Sequence, residues 1–164
     1  MGSVGNKKSP IELYSRFIEG ENWSAHEASE ADKKILDRMF KPADKELTVY
    51  KGLAVTASDL ENMDNLITSY SSTSVDRLVG IDYANKAYDY DFGDYMPLLA
   101  TIKIAKGTPI VDTRQTLGTD GMKGYEKEIT VGRNVKYTYT NLKKYTDKYG
   151  DVFYTVDVEV RRRT

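Results

Sequence analysis

The period of hydrophobic and polar positions along this chain changes near Pro42. Before it, apolar residues recur at helical spacing: Ile11, Tyr14, Phe17 and Ile18 form one stripe, and Ile35, Leu36, Met39 and Phe40 form another. Ser9 and Pro10 precede the first stripe, a capping residue and one that suits the first helical position, and Gly20 stops it. The second starts at Ser29, carries acids in its first turn where the helix dipole favours them, and ends before Pro42. Two amphipathic helices are predicted, each with a face to bury.

After Pro42 the period becomes two. "ELTVYKGL" alternates apolar and polar residues up to Gly52 and predicts a strand, and "LITSYSSTS" at 66–74 predicts a second. "VDRLVGIDYANKAY" permits a helix through Leu78, Ile81 and Tyr88, and residues 98–105 predict a strong strand with a Gly-Thr-Pro turn behind it. "YEKEITV", "NVKYTYTNLKKY" and "VFYTVDVEV" predict three more strands, after a glycine-rich loop, "TRQTLGTDGMKGY", long enough to suggest a function. Helices followed by about six strands and one intervening helix give an α+β fold with a mixed, mainly antiparallel sheet. The 164 residues suit one domain, with a helical part over 1–43 and a β core over 44–164.

Composition narrows the chemistry. Twenty-four basic and 25 acidic residues leave a net charge of −1, which gives no overall pull toward a polyanion or a membrane surface; Arg161 to Arg163 form only a local basic tail. With no cysteine and a single histidine, His26, thiol nucleophiles, disulfides and histidine-rich metal sites are excluded, and no metal is expected. His26 reads as a solvated or capping residue. No apolar run approaches the roughly 20 residues of a membrane span and the start has no signal-peptide core, so a cytoplasmic protein without membrane contact is expected. GxGxxG and Walker loops are absent, so a nucleotide would need another fold to hold it. Thirteen tyrosines suit half-buried strands that need a polar tip.

One short stretch raises a chemical question. In "GYEKEIT", an extended backbone places Glu126 and Glu128 on the same face with Lys127 on the other. Adjacent carboxylates repel, and the same spacing recurs at Glu19 and Glu21, Asp59 and Glu61, Asp89 and Asp91, and Asp157 and Glu159, where a solvated face explains it. The pair gains meaning from what precedes it. Read in order, "VYKGL" at 49–53, "SSTS" at 71–74 and "GYEKEI" at 124–129 resemble the mono-ADP-ribosyltransferases, whose site combines an arginine on one strand, Ser-Thr-Ser on the next and Glu-x-Glu after a loop. The likeness covers about residues 45–160. It is strongest to the small transferases of T-even and related phages, through chain length, "ATIKIAKGTPI" and "FYTVDVEV".

The resemblance implies NAD as co-substrate and a cationic, oxocarbenium-like transition state, which a carboxylate beside the ribose stabilises. It assigns that role to Glu128. Glu126 faces the acceptor as general base, and glutamate at this first position implies arginine as acceptor, because a guanidinium pairs with a carboxylate. NAD-binding roles fall to Lys51, Gly52, Ser72, Thr73 and Ser74, with Thr73 and Ser74 bracing the strands, Phe92 stacking on nicotinamide, and Tyr125 touching the acceptor. Where the family has arginine, this chain has Lys51, which keeps the charge and loses the two-pronged geometry. Either lysine serves in its place, or the arginine was replaced to weaken turnover, or the chain is a naturally impaired relative. The implied function is ADP-ribosyl transfer to a host protein, during phage takeover of a bacterial cytoplasm, with nucleic acid as the other acceptor. An impaired binding module using the tyrosine-rich strands and basic tail, and an NAD glycohydrolase, are the alternatives.

Overall fold

The computed structural model of the chain describes residues 9–19, 29–68, 70–90, 94–113 and 128–164. Two helices lead, α1 (Pro10–Glu19) and α2 (Glu30–Asp37). Their N-termini use the serines expected of them: the Ser9 hydroxyl accepts from the Glu12 amide at 3.2 Å, and that of Ser29 from the Asp32 amide at 3.1 Å.

Among the described residues, eight strands form one mixed sheet: β1 (Lys41–Pro42), β2 (Leu47–Val55), β3 (Ser71–Ser74), β4 (Met96–Ile104), β5 (Pro109–Asp112), β6 (Glu128–Val131), β7 (Val135–Thr146) and β8 (Val152–Arg162). Their order is β1-β5-β6-β3-β2-β4-β8-β7, and only β4 and β8 run parallel. A short helix, α3 (Ala57–Glu61), follows β2, and α4 (Arg77–Asn85) follows β3 and continues as a 3-10 turn over Lys86–Asp89. The α+β character and mainly antiparallel sheet are as the sequence predicts.

Two details differ from it. β1 forms where the sequence marks only the end of the second helix, and β5 starts at the proline of the Gly-Thr-Pro turn: Lys41 pairs with Ile110 and Pro42 with Pro109, and β5 continues along β6. The strand expected over 66–74 is only Ser71–Ser74: the chain bends at 66–67, and Tyr70 adopts a left-handed φ of 55° immediately before β3. That conformation is uncommon for a bulky residue. Tyr70 is held in it by its hydroxyl, which donates to Asp37 Oδ1 at 2.5 Å and lies 3.1 Å from the Lys33 carbonyl.

Burial accounts for the sequence patterns. β4 lies between β2 and β8, and Leu98, Leu99, Ala100, Ile102 and Ile104 are buried, so its apolar run is nearly continuous rather than alternating. Val49, Val55, Ile129, Val131, Val156, Val158 and Val160 complete this core. A second core joins the helices to the sheet through Leu13, Tyr14, Leu36, Tyr70 and Val111, with Phe40 edge-on to Tyr14 at 6.4 Å.

Pairing is uneven. β2 and β4 pair along their full length, from Leu47 opposite Ile104 to Val55 opposite Met96, whereas β2 and β3 share one registered pair, Tyr50 and Ser74. The sheet opens at this seam, and the opening is where the candidate residues meet.

Candidate active site

A cleft lies at the β2–β3 seam. β2 supplies Tyr50, Lys51 and Gly52, β3 supplies Ser72, Thr73 and Ser74, α4 supplies Val79, Gly80 and Tyr83, and β6 supplies Glu128. Six residues singled out in the sequence, Lys51, Gly52, Ser72, Thr73, Ser74 and Glu128, therefore line one space. Phe92, Tyr125 and Glu126 lie outside the described residues.

Glu128 opens β6 directly opposite Ser74 on β3, and it is only 3% exposed. A carboxylate so placed must be hydrogen-bonded to stay ionised. Thr113, at the end of β5, provides one donor, with its hydroxyl 3.4 Å from Glu128 Oε2. Thr113 itself does not stand out in the sequence. Its position comes from the β5–β6 pairing, in which Asp112 lies opposite Ile129.

The three residues of Ser-Thr-Ser have separate surroundings. The Thr73 hydroxyl donates to the Ile129 carbonyl at 2.7 Å and so ties β3 to β6 from the side chain as well as the backbone. The Ser74 hydroxyl accepts from the Asp76 amide at 3.0 Å, and the Asp76 carboxylate in turn accepts from the Leu78 amide at 3.0 Å, which starts α4. Ser72, half-buried, gives its carbonyl to the Lys51 ammonium at 2.9 Å. That bond spans the place where β2 and β3 have stopped pairing, so a charged side chain substitutes for a missing ladder bond across the seam.

Gly52 has a specific reason to be glycine. A side-chain carbon built there would meet the Gly80 carbonyl oxygen at 2.0 Å and the Ala84 amide nitrogen at 2.3 Å. Gly80 is confined likewise, with Leu99 at 2.9 Å and Tyr50 at 3.0 Å from the same virtual atom. The two glycines let α4 lie against β2 at close range, which forms one wall of the cleft.

The cleft thus brings together one buried carboxylate, one ammonium, serine and threonine residues, two tyrosines and Val79. That combination can bind a polyol and favour positive charge developing near Glu128. A wider hollow between α2 and the β1–β5 edge includes Arg38, Lys41, Asp44 and Lys45, all exposed, and no buried ionisable side chain lines it. Among the described residues no group of three or more His, Cys, Asp or Glu is placed to hold a metal ion. Among them, too, no helix is long and apolar enough to cross a membrane.

No protein-family model and no curated protein matches the chain. Solved structures do match it. Plx2a, an ADP-ribosyltransferase toxin from Paenibacillus larvae, superposes with a TM-score of 0.57 at 17% identity, over 93% of this chain and 84% of that one. An ADP-ribosyltransferase from Clostridium botulinum gives 0.52 at 11% identity, over 94% of this chain and 88% of its own. BECa, an ADP-ribosylating toxin of a C. perfringens binary enterotoxin solved with NADH, gives 0.52 at 14% identity, over 97% of this chain and 43% of its own length. At these identities the likeness is one of fold: the chain has the fold of ADP-ribosyltransferase toxins.

Proposed function

We propose that this chain is an NAD-dependent ADP-ribosyltransferase that modifies arginine side chains of a host protein. The observation that carries the proposal is buried Glu128 at the β2–β3 seam, opposite Ser74 and in the same cleft as Lys51. The toxin fold and the nicotinamide nucleotide named with BECa support it.

In this reading the cleft holds the nicotinamide and its ribose, and the remaining dinucleotide leaves along the seam past Lys51. The N-glycosidic bond breaks and its electron pair departs with neutral nicotinamide. The ribosyl carbon gains positive charge, which the Glu128 carboxylate stabilises while accepting a hydrogen bond from a ribose hydroxyl. A guanidinium nitrogen of the acceptor then forms the new bond and gives up a proton to Glu126. Ser72 orients the ribose, Tyr125 contacts the acceptor and Phe92 stacks on nicotinamide.

NAD labelled in its adenylate half, incubated with the protein and a cell lysate, tests the proposal. Labelled protein bands that disappear with Glu128→Gln are expected, a loss of at least about 100-fold for a transition-state carboxylate. Free labelled ADP-ribose with no labelled macromolecule indicates a glycohydrolase. Undiminished transfer by Glu128→Gln overturns the catalytic assignment. A second reading, a catalytically impaired binding module, draws on the engagement of Lys51 by the Ser72 carbonyl; it predicts no product of either kind from the wild-type chain.

A further inference from the structure

A buried row of hydroxyls runs from the helical layer to Glu128. The Tyr14 hydroxyl on α1 lies 2.7 Å from Thr113 Oγ1 and 2.9 Å from Thr130 Oγ1, and Thr113 lies 3.4 Å from Glu128 Oε2. Tyr14, Thr113, Thr130 and Glu128 are 0, 1, 0 and 3% exposed, so water does not compete for these bonds. Because an ionised carboxylate only accepts, the row has one sense: Thr113 donates to Glu128, Tyr14 donates to Thr113, and Thr130 donates to Tyr14. Each hydroxyl proton is spent in the direction of the carboxylate, and each link polarises the next.

We infer that Tyr14 is a positioning residue for Glu128, acting through Thr113. The inference deepens the proposed function and rests on it, since it gives the N-terminal helix a part in setting the carboxylate that faces the ribose. Tyr14 touches no substrate in this account. Its ring is fixed among Leu13, Leu36 and Phe40 while its hydroxyl, 99 residues away in sequence from Thr113, fixes a hydroxyl that would otherwise rotate. The 3.4 Å link to Glu128 is the slack member of the row. The ionisable groups around this arrangement are Lys51, Tyr50 and Tyr83 in the cleft and Asp112 beside Tyr14.

The test uses the full chain with the Glu128 carboxyl labelled with ¹³C, titrated by NMR, and needs no turnover. Thr113→Val removes the donor and raises the Glu128 midpoint by about half to one pH unit, Tyr14→Phe raises it by less, and Thr113→Ser leaves it in place. In transfer assays kcat falls roughly three- to tenfold for Tyr14→Phe and Thr113→Val, the equivalent of one lost hydrogen bond, while KM for NAD changes less than twofold. The double variant loses no more than the worse single one. A purely structural role would lower the unfolding temperature and leave the titration where it was. Wild-type midpoints in both Tyr14→Phe and Thr113→Val overturn the inference. Should Tyr14→Phe not fold, the contrast between Thr113→Val and Thr113→Ser decides. Failure of Glu128→Gln to stop transfer counts against the proposed function instead, and leaves the titration readable.

Discussion

Gly52 and Gly80 set how near α4 comes to β2, and the cleft depends on that distance. A single added methyl at Gly52 would press on a backbone carbonyl and a backbone amide, which cannot rotate away as a side chain can. Gly52→Ala is expected to cost about 1–3 kcal/mol or more, from overpacking at a rigid crossing, read as a lowered urea midpoint. From the sequence, Gly52 reads as a strand end and a place for close approach of a ligand; the helix it accommodates, 28 residues on, leaves no mark at that position. Lys51 is different, because its charge was legible and its partner was not. Lys51→Arg keeps the cation and adds donors in a planar fork, and an increase in kcat/KM for NAD is expected. Lys51→Met removes the charge and leaves the Ser72 carbonyl to find another donor, so weaker NAD binding with about 1 kcal/mol of lost stability is expected from calorimetry and urea unfolding.

The helical layer is bound to the sheet by polar contacts as well as by its core. Arg133, in the β6–β7 turn, donates to Asp37 at 2.8 Å and to Glu30 at 2.7 Å, and Asp37 also accepts from Tyr70. α2 is thereby fastened to the entry of β3 and the exit of β6, which lie at the same end of the strand pair that carries Ser72 and Glu128, since Ser71 faces Val131. The hydrogen bond from Arg133 holds the exposed Glu30 carboxyl below its ordinary value of 4.5. A depressed carboxyl contributes stability that is full above that value and is lost as pH falls below it. Arg133→Met is expected to remove this part of the acid dependence and, through its lost bond to Asp37, to destabilise the chain by on the order of 1 kcal/mol at neutral pH. Unfolding curves at pH 7 and pH 4 check both. The long elements were legible because each buries one face at a fixed period. β1 and β5 were not, since two and four residues carry no period and their pairing is set by distant partners. α3 did leave a signal: Thr56 and Asp59 form a capping box, with the Thr56 amide 2.8 Å from Asp59 Oδ2.

For the whole molecule, three stretches separated by up to 80 residues meet because β2, β3 and β6 are neighbours in a sheet that parts at one seam. Their order along the chain was readable, and so was the residue chemistry; the hydroxyl row behind Glu128 was not, because its members come from α1, β5 and β6. The same burial has a consequence at high pH. Desolvation pushes the Tyr14 hydroxyl up to about 12 and raises Tyr70 and Tyr137 as well, against an ordinary value of 10.0. A raised tyrosine contributes stability that is intact below the ordinary value and is lost as pH rises toward the folded-state value. Stability is therefore expected to fall from pH 10 upward, with Tyr14 alone accounting for on the order of 2–3 kcal/mol by pH 12, and Tyr14→Phe is expected to flatten the urea midpoint over that range.

The proposed chemistry needs a dinucleotide lying at the β2–β3 seam with its ribose over Glu128. Backbone amide NMR of the Glu128→Gln chain, which retains the cleft, measures this directly when NAD is added. Saturable shifts centred on Lys51, Gly52, Ser72, Thr73, Ser74 and residue 128 are predicted. Shifts that gather at another surface, or a spectrum unchanged at millimolar NAD, would contradict it.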